Sequence, residues 1–208
     1  MDVAETFFVA LTTFFATVGP FDVAAVYAAL SVRTDAEARR KTAVRGVLAA
    51  AVILSVFALF GEALLNSLGI SMPAFRAAGG VLLLLIGIDM VFARESGGAS
   101  TTPAENKDAA GRDDIAIFPL ATPLIAGPGT MGALILLLAD ADGTSQAAVI
   151  LALAVILLLT LISMLLAERL HKFLGLTGMH VISRIFGILL TALAVQFIFD
   201  GIYQSGIF

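Results

Sequence analysis

The sequence predicts an all-α, polytopic membrane protein of six transmembrane helices. They would form two inverted three-helix repeats, with helices 1 and 4 broken at Gly-Pro. Three observations predict this. The 208 residues are 60% hydrophobic and 13% charged, with a mean hydropathy of +1.03, where a soluble domain is about 45–50% apolar and about 25% charged. Six apolar stretches each approach the roughly 20 residues that cross a hydrocarbon core about 30 Å thick. Finally, Gly19-Pro20 and Gly127-Pro128 interrupt two of these stretches 108 positions apart (127 − 19).

The first stretch runs from about Thr6 to Ser31, interrupted at Gly19-Pro20. The residues before it, Met1-Asp2-Val3-Ala4-Glu5, are acidic and lack the basic region of a signal peptide, so it is expected to be retained as a span. The second covers about Val44 to Leu65, and the third about Ala74 to Ala93. The fourth runs from about Ile115 to Leu138 through Gly127-Pro128, the fifth from Ala147 to Ala167, and the sixth from about Val181 to Tyr203.

Basic residues orient the set. Arg33, Arg39, Arg40, Lys41 and Arg45 follow helix 1, Arg94, Lys107 and Arg112 follow helix 3, and Arg169 and Lys172 follow helix 5. The connections Glu62–Pro73 and Ala139–Gln146, and both tails, contain no lysine or arginine. All ten loop cations therefore obey one assignment, with the basic loops cytoplasmic and both termini outside. The expected location is the cytoplasmic (inner) membrane.

Three units follow: a first repeat over 1–94, a flexible cytoplasmic linker over 95–114 and a second repeat over 115–208. The linker assignment rests on the Gly97-Gly98-Ala99-Ser100-Thr101-Thr102-Pro103 run and the mixed charges after it. The same shift of 108 carries Arg76 to Arg184 and Gly79 to Gly187. Three helices per repeat is an odd number, so the second repeat enters from the opposite face. Many secondary transporters share that arrangement, with substrate held near the midplane at discontinuous helices. Thr6 to Gly19 spans about 20 Å and Ile115 to Gly127 about 18 Å. Each break then falls somewhat past mid-membrane from its own side, where the two can meet.

Composition excludes several classes. A net charge of −4 and a pI near 5.0 leave no basic stripe for nucleic acid. Without cysteine there are no disulfides, thiolate ligands or thiol nucleophiles. His171 and His180 stand at no ligand spacing, so no metal is expected. No phosphate-binding loop or Ser/His/Asp arrangement is present, so neither a cofactor nor enzymatic chemistry is expected.

Proline removes a backbone donor, and in lipid the freed groups survive only inside protein or beside a wet cavity. Each Gly-Pro therefore reads as the start of a second half-helix, proline being suited to the first turn. The exposed N–H groups and positive dipole end would attract a substrate carboxylate. On this reading Gly19, Pro20, Asp22, Gly127, Pro128, Gly129, Thr130 and Gln196 bind substrate. Glycines 127 and 129 admit close backbone approach, and Thr130 adds a hydroxyl. Asp22 is either a cap or a receptor for an ammonium group or coupling cation. The competing reading makes both breaks mere packing kinks. Phe14, Phe15 and Phe21 would line or close the site. Arg76, Arg184 and Asp89 are gating or ion-coupling candidates. For the two arginines the alternatives are snorkelling to headgroups and pairing with an acid of the other repeat.

The stretches Ala74-Phe75-Arg76-Ala77-Ala78-Gly79-Gly80, Gly87-Ile88-Asp89-Met90, Phe118-Pro119 through Gly129-Thr130, and Ala194-Val195-Gln196-Phe197 resemble the MarC family of six-helix membrane proteins. The resemblance runs over nearly the whole chain, and its second-half Pro/Gly stretch is the most specific part. It implies a LysE-like transporter of small neutral amino acids such as glycine or alanine. One departure stands out. The family's usual Asp-Pro-x-Gly at the first break reads here Gly19-Pro20-Phe21-Asp22.

The function expected is secondary transport of a small neutral amino acid by alternating access, coupled to H⁺, Na⁺ or neither. The rivals are export of another small metabolite, a passive channel, and a structural or regulatory role. The lipid bilayer is the obligatory partner, and oligomerisation stays open.

Overall fold

The computed structural model of the chain describes residues 2–31, 35–92 and 115–206. The 95–114 linker and the loop cations Arg33, Arg94, Lys107 and Arg112 lie outside the described residues. Among those described, every element is helical: α1 (Val3–Val18), α2 (Pro20–Leu30), α3 (Ala36–Ser67), α4 (Met72–Phe92), α5 (Ala116–Ile125), α6 (Pro128–Ala139), α7 (Gly143–Leu165) and α8 (Ala167–Gln204). Five spans are long and apolar enough to cross a membrane, with α1 and α2 counted as one from Val3 to Leu30. The bent pair α5–α6 makes a sixth. The all-helical, six-span expectation is met.

Local chemistry sets the helix ends. The Asp2 carboxylate accepts the Val3 N–H at 2.7 Å, and that of Asp35 accepts the Ala38 N–H at 2.8 Å, capping α3. α3 stops at Leu68, where Gly69 adopts φ +71°. The Gly69 N–H then donates to Asn66 at 3.1 Å and the Ile70 N–H to Leu65 at 2.9 Å. That pair of bonds closes a Schellman turn, which glycine enters without steric cost. Within the spans, buried hydroxyls bond back to the carbonyl four residues earlier. Thr13 reaches Val9 at 2.7 Å, Thr17 reaches Thr13 at 2.9 Å and Thr160 reaches Ile156 at 2.8 Å.

α5 departs from the expected continuous half-helix. Phe118 and Thr122 are extended, with φ/ψ of −125/123° and −131/135°. Each precedes a proline, whose ring pushes the residue before it out of the α region. Both X-Pro bonds are cis. The surviving bonds reach five residues back, Leu120 N–H to Ile115 at 3.3 Å and Ala126 N–H to Ala121 at 2.8 Å. Helix 4 is thus interrupted at Pro119 and Pro123 as well as at Gly127-Pro128, and α5 meets α6 at 53°. The expected sixth span from Val181 also begins earlier as a helix. α8 is continuous from Ala167, so the stretch taken for a connection, including positions 171 and 180, lies within it.

The most extensive packing joins α4 to α8, and α1 packs on α7 while α3 packs on α5. The α4–α8 seam is made by small residues. A methyl on Gly80 would stand 2.8 Å from the Ala194 carbonyl oxygen, and one on Gly187 3.0 Å from that of Gly87. Gly79, Gly80 and Gly187 are accordingly close-packing positions. The core comprises Phe14, Tyr27, Leu54, Leu83, Leu134 and Ile156 with their neighbours.

Candidate functional site

At the first break Gly19 adopts φ 60°, ψ 65°. Its N–H closes α1 on Phe15 at 3.0 Å, and its carbonyl opens α2 by accepting the Val23 N–H at 2.9 Å. The left-handed conformation is what lets one residue serve both helices, and glycine alone enters it freely. Pro20 occupies the first turn of α2. The Asp22 carboxylate folds back over the break, its Oδ2 lying 3.0 Å from where a Gly19 methyl would be. A cavity of about 10 Å³ opens there between Phe15, Phe21, Asp22, Met90, Ile182 and Ser183, enough for about one water molecule. Phe15 lines it, edge-on to Phe21 at 5.6 Å and 3.9 Å from Phe186 with the rings tilted by 31°. Phe14 is instead fully buried.

The second break is deeper. Gly127 is extended (φ −82°, ψ 168°), Pro128 begins α6, and no side chain caps it. A methyl on Gly127 would come within 2.5 Å of the Pro123 carbonyl oxygen. Because α5 is kinked at Thr122-Pro123, that carbonyl is brought back against the break. Gly129 lies against Ile86 of α4, and a methyl there would meet Ile86 Cδ1 at 2.5 Å and Thr17 Cγ2 at 3.9 Å. The two broken spans pack on each other, α1 on α6, and Thr17 faces Gly129 across the space of a methyl group, each standing two residues from its Gly-Pro glycine. Thr130 is fully buried, and its hydroxyl has no hydrogen-bond partner. Leaving a buried hydroxyl unpaired costs about 1–3 kcal/mol, so Thr130 is the polar group most in need of explanation. Pro128 itself is exposed.

The remaining candidates sit elsewhere. Arg76 is buried in the second turn of α4 and forms an ion pair with Asp140, the C-cap of α6. Asp200 of α8 lies within electrostatic reach of the same guanidinium. Gln196 is exposed and donates to Asp200 at 2.8 Å, which attaches it to this charged group rather than to the breaks. Arg184 is exposed. The two arginines that the 108-residue shift relates thus have opposite surroundings, one paired with an acid of the other half and one on the surface. Asp89 is half-buried in the last turn of α4, next to the cavity-lining Met90. No group of three or more metal-ligating residues occurs among the described residues.

Sequence reasoning missed Asp140, Asp200, Ile86 and Phe186. Asp140 and Asp200 carry no signal in the sequence beyond an acid near the end of an apolar stretch. Ile86 and Phe186 carry no signal beyond apolarity.

Comparison with known proteins agrees with this architecture. Residues 4–205 match the model of the MarC family, described as integral membrane proteins. A UPF0056 membrane protein of Methanocaldococcus jannaschii is 40% identical over 199 residues, 95% of this chain and 96% of the relative. One from Archaeoglobus fulgidus is 32% identical over 209 residues, covering 99% and 97%. The UPF0056 membrane protein YhcE of Escherichia coli is 34% identical over 208 residues, covering 97% and 92%. No solved structure matches. Full-length coverage by both kinds of comparison leads to one conclusion: the chain belongs to the MarC family of integral membrane proteins.

Proposed function

We propose that the chain is a secondary transporter of small neutral amino acids, such as glycine or alanine, working by alternating access in the cytoplasmic membrane. One observation carries the reading. The two broken spans pack together, α1 on α6, with Thr17 facing Gly129 across the space of a methyl group, and next to Gly129 lies a fully buried hydroxyl, Thr130, with nothing to bond. A substrate carboxylate or ammonium arriving at the N-terminus of α6 supplies the missing partner, and the helix dipole favours the carboxylate.

Packing supports the inverted repeat. A shift of 108 carries α1 onto α5 and α3 onto α7, so the α1–α7 and α3–α5 contacts are one contact seen from each half. The α4–α8 seam then pairs an element with its own counterpart, as the element nearest a two-fold axis must. In this reading the cavity at Asp22 is the cytoplasmic end of the path, closed by Phe15 and Phe186. The Arg76–Asp140 pair closes the outer end. On this reading Phe15 with Phe186 and the Arg76–Asp140 pair close the two ends, as an occluded carrier requires and an open channel does not. Asp22 receives the ammonium or coupling cation.

The test is counterflow of labelled glycine and alanine in liposomes, with Thr130→Val beside the parent chain. Valine keeps the shape and removes the hydroxyl. Exchange reduced at least about tenfold in a folded variant is the expected result, the worth of one lost hydrogen bond to a charged group. Undiminished exchange in Thr130→Val removes the hydroxyl from the site.

A further inference from the structure

Two open grooves on the helix bundle are counterparts under the same shift. One of about 380 Å³ lies between α2, α3 and α7 and is lined by Tyr27, Arg39, Arg40, Met164, Leu165 and Leu166. The other, of about 390 Å³, lies between α3, α6 and α7, and its lining includes Phe57, Ala58, Ile135 and Ala147. Adding 108 to Tyr27 and Arg39 gives Ile135 and Ala147. Subtracting 108 from Leu165 and Leu166 gives Phe57 and Ala58. The same concavity is therefore built twice, at opposite ends of the bundle.

Their chemistry differs where it matters. Positions 147 and 148 are alanines where Arg39 and Arg40 stand, so a groove of this shape forms without arginine. The first groove nonetheless fixes one of its cations. The Tyr27 hydroxyl donates to the Arg39 carbonyl at 2.7 Å, and the Arg39 guanidinium lies 5.9 Å from the centre of the Tyr27 ring. Arg40 beside it is exposed. Below the cations, Leu165 and Leu166 are 44% and 43% exposed.

We infer that this groove is a binding site for an anionic phospholipid, with the headgroup phosphate on Arg39 and Arg40 and an acyl chain along Leu165 and Leu166. Paired guanidiniums above exposed leucines at a bundle edge fit an amphiphile that is anionic at one end, and basic pockets between spans hold such headgroups. The groove is at the end of the molecule that the loop charges assign to the cytoplasm. The inference does not depend on transport.

The test uses the full chain in detergent, with native mass spectrometry reading retention of phosphatidylglycerol against phosphatidylcholine of the same acyl chains. Phosphatidylglycerol is expected to be retained preferentially by the parent chain. Retention should fall about tenfold or more in Arg39→Gln/Arg40→Gln, two cations being lost from the membrane edge. Phosphatidylcholine retention should not change, and Lys41→Gln, an exposed neighbour, should alter either lipid less than twofold. Because Arg39 packs on Tyr27, Arg40→Gln alone is the second variant. It should keep the fold and lose phosphatidylglycerol several-fold. Equal retention of the two lipids by the parent chain, or unchanged phosphatidylglycerol in a folded Arg40→Gln, overturns the proposal. Displacement of the lipid by millimolar inorganic phosphate also overturns it, because the site would then read phosphate alone.

Discussion

Thr130 differs from the other buried hydroxyls of the spans, because Thr13, Thr17 and Thr160 each return a hydrogen bond to their own helix, whereas its oxygen bonds nothing. An apolar residue of the same shape relieves that cost. Thr130→Val should therefore hold or raise the apparent melting temperature in detergent while it lowers exchange. A structural threonine would move both downward. Gly127 behaves differently from Gly129. A methyl at Gly127 meets a backbone carbonyl, whereas at Gly129 it meets the end of an isoleucine. Gly127→Ala should destabilise by about 1–3 kcal/mol, and Gly129→Ala by less because Ile86 can turn aside. A lower melting temperature for Gly129→Ala than for Gly127→Ala would contradict this placement. At Arg76 two carboxylates share one cation. Either Asp140→Asn or Asp200→Asn leaves the other acid in reach, so the double variant should lose more stability than the two single losses summed.

At the scale of elements, the seam between α4 and α8 is set by glycine rather than by interlocking side chains. Gly87→Leu should force these helices apart and abolish the monodisperse folded peak in size-exclusion chromatography. Survival of that peak would mean the seam tolerates separation. The sequence marked this seam only in part: Gly80 and Gly187 stood out as close-packing glycines and lie on it, whereas Gly79, which the shift pairs with Gly187, packs against Leu136 of α6 instead. The first break was legible too, because Gly-Pro inside an apolar run has few structural meanings. The kinks at Pro119 and Pro123 were not. Each proline was visible, but a Gly-Pro nearby offered a sufficient break, and prolines in a span can merely bend it. The inward extension of α8 was hidden because Arg169 and Lys172 mark charge, and charge ends a span without ending a helix. Asp140 and Asp200 were hidden for a related reason. Their positions along the chain place them at membrane edges, but only packing brings both to α4.

For the whole molecule, the loop charges predict that the end carrying the start of α3 faces the cell interior. The chain contains no cysteine, so single cysteines report without background. Thr144, next to the start of α7, and Ala36, at the start of α3, are both exposed. In intact cells an impermeant thiol reagent should modify Thr144→Cys, and Ala36→Cys only after permeabilisation. The reverse pattern would invert the assignment and move the arginine groove to the outer face.

The 38 residues of α8 form a rod about 57 Å long at 1.5 Å per residue, almost twice the hydrocarbon thickness. Its C-terminal end lies beside Arg76 through Asp200, and its middle passes the Asp22 cavity at Ile182 and Ser183. Along its length it is held against α4 at the glycine seam. A tilt of about 5° displaces one end relative to the other by about 5 Å over that length. On the transport reading, a change of partners beside Arg76 is then felt along α8 at the Asp22 cavity, so the two ends move together.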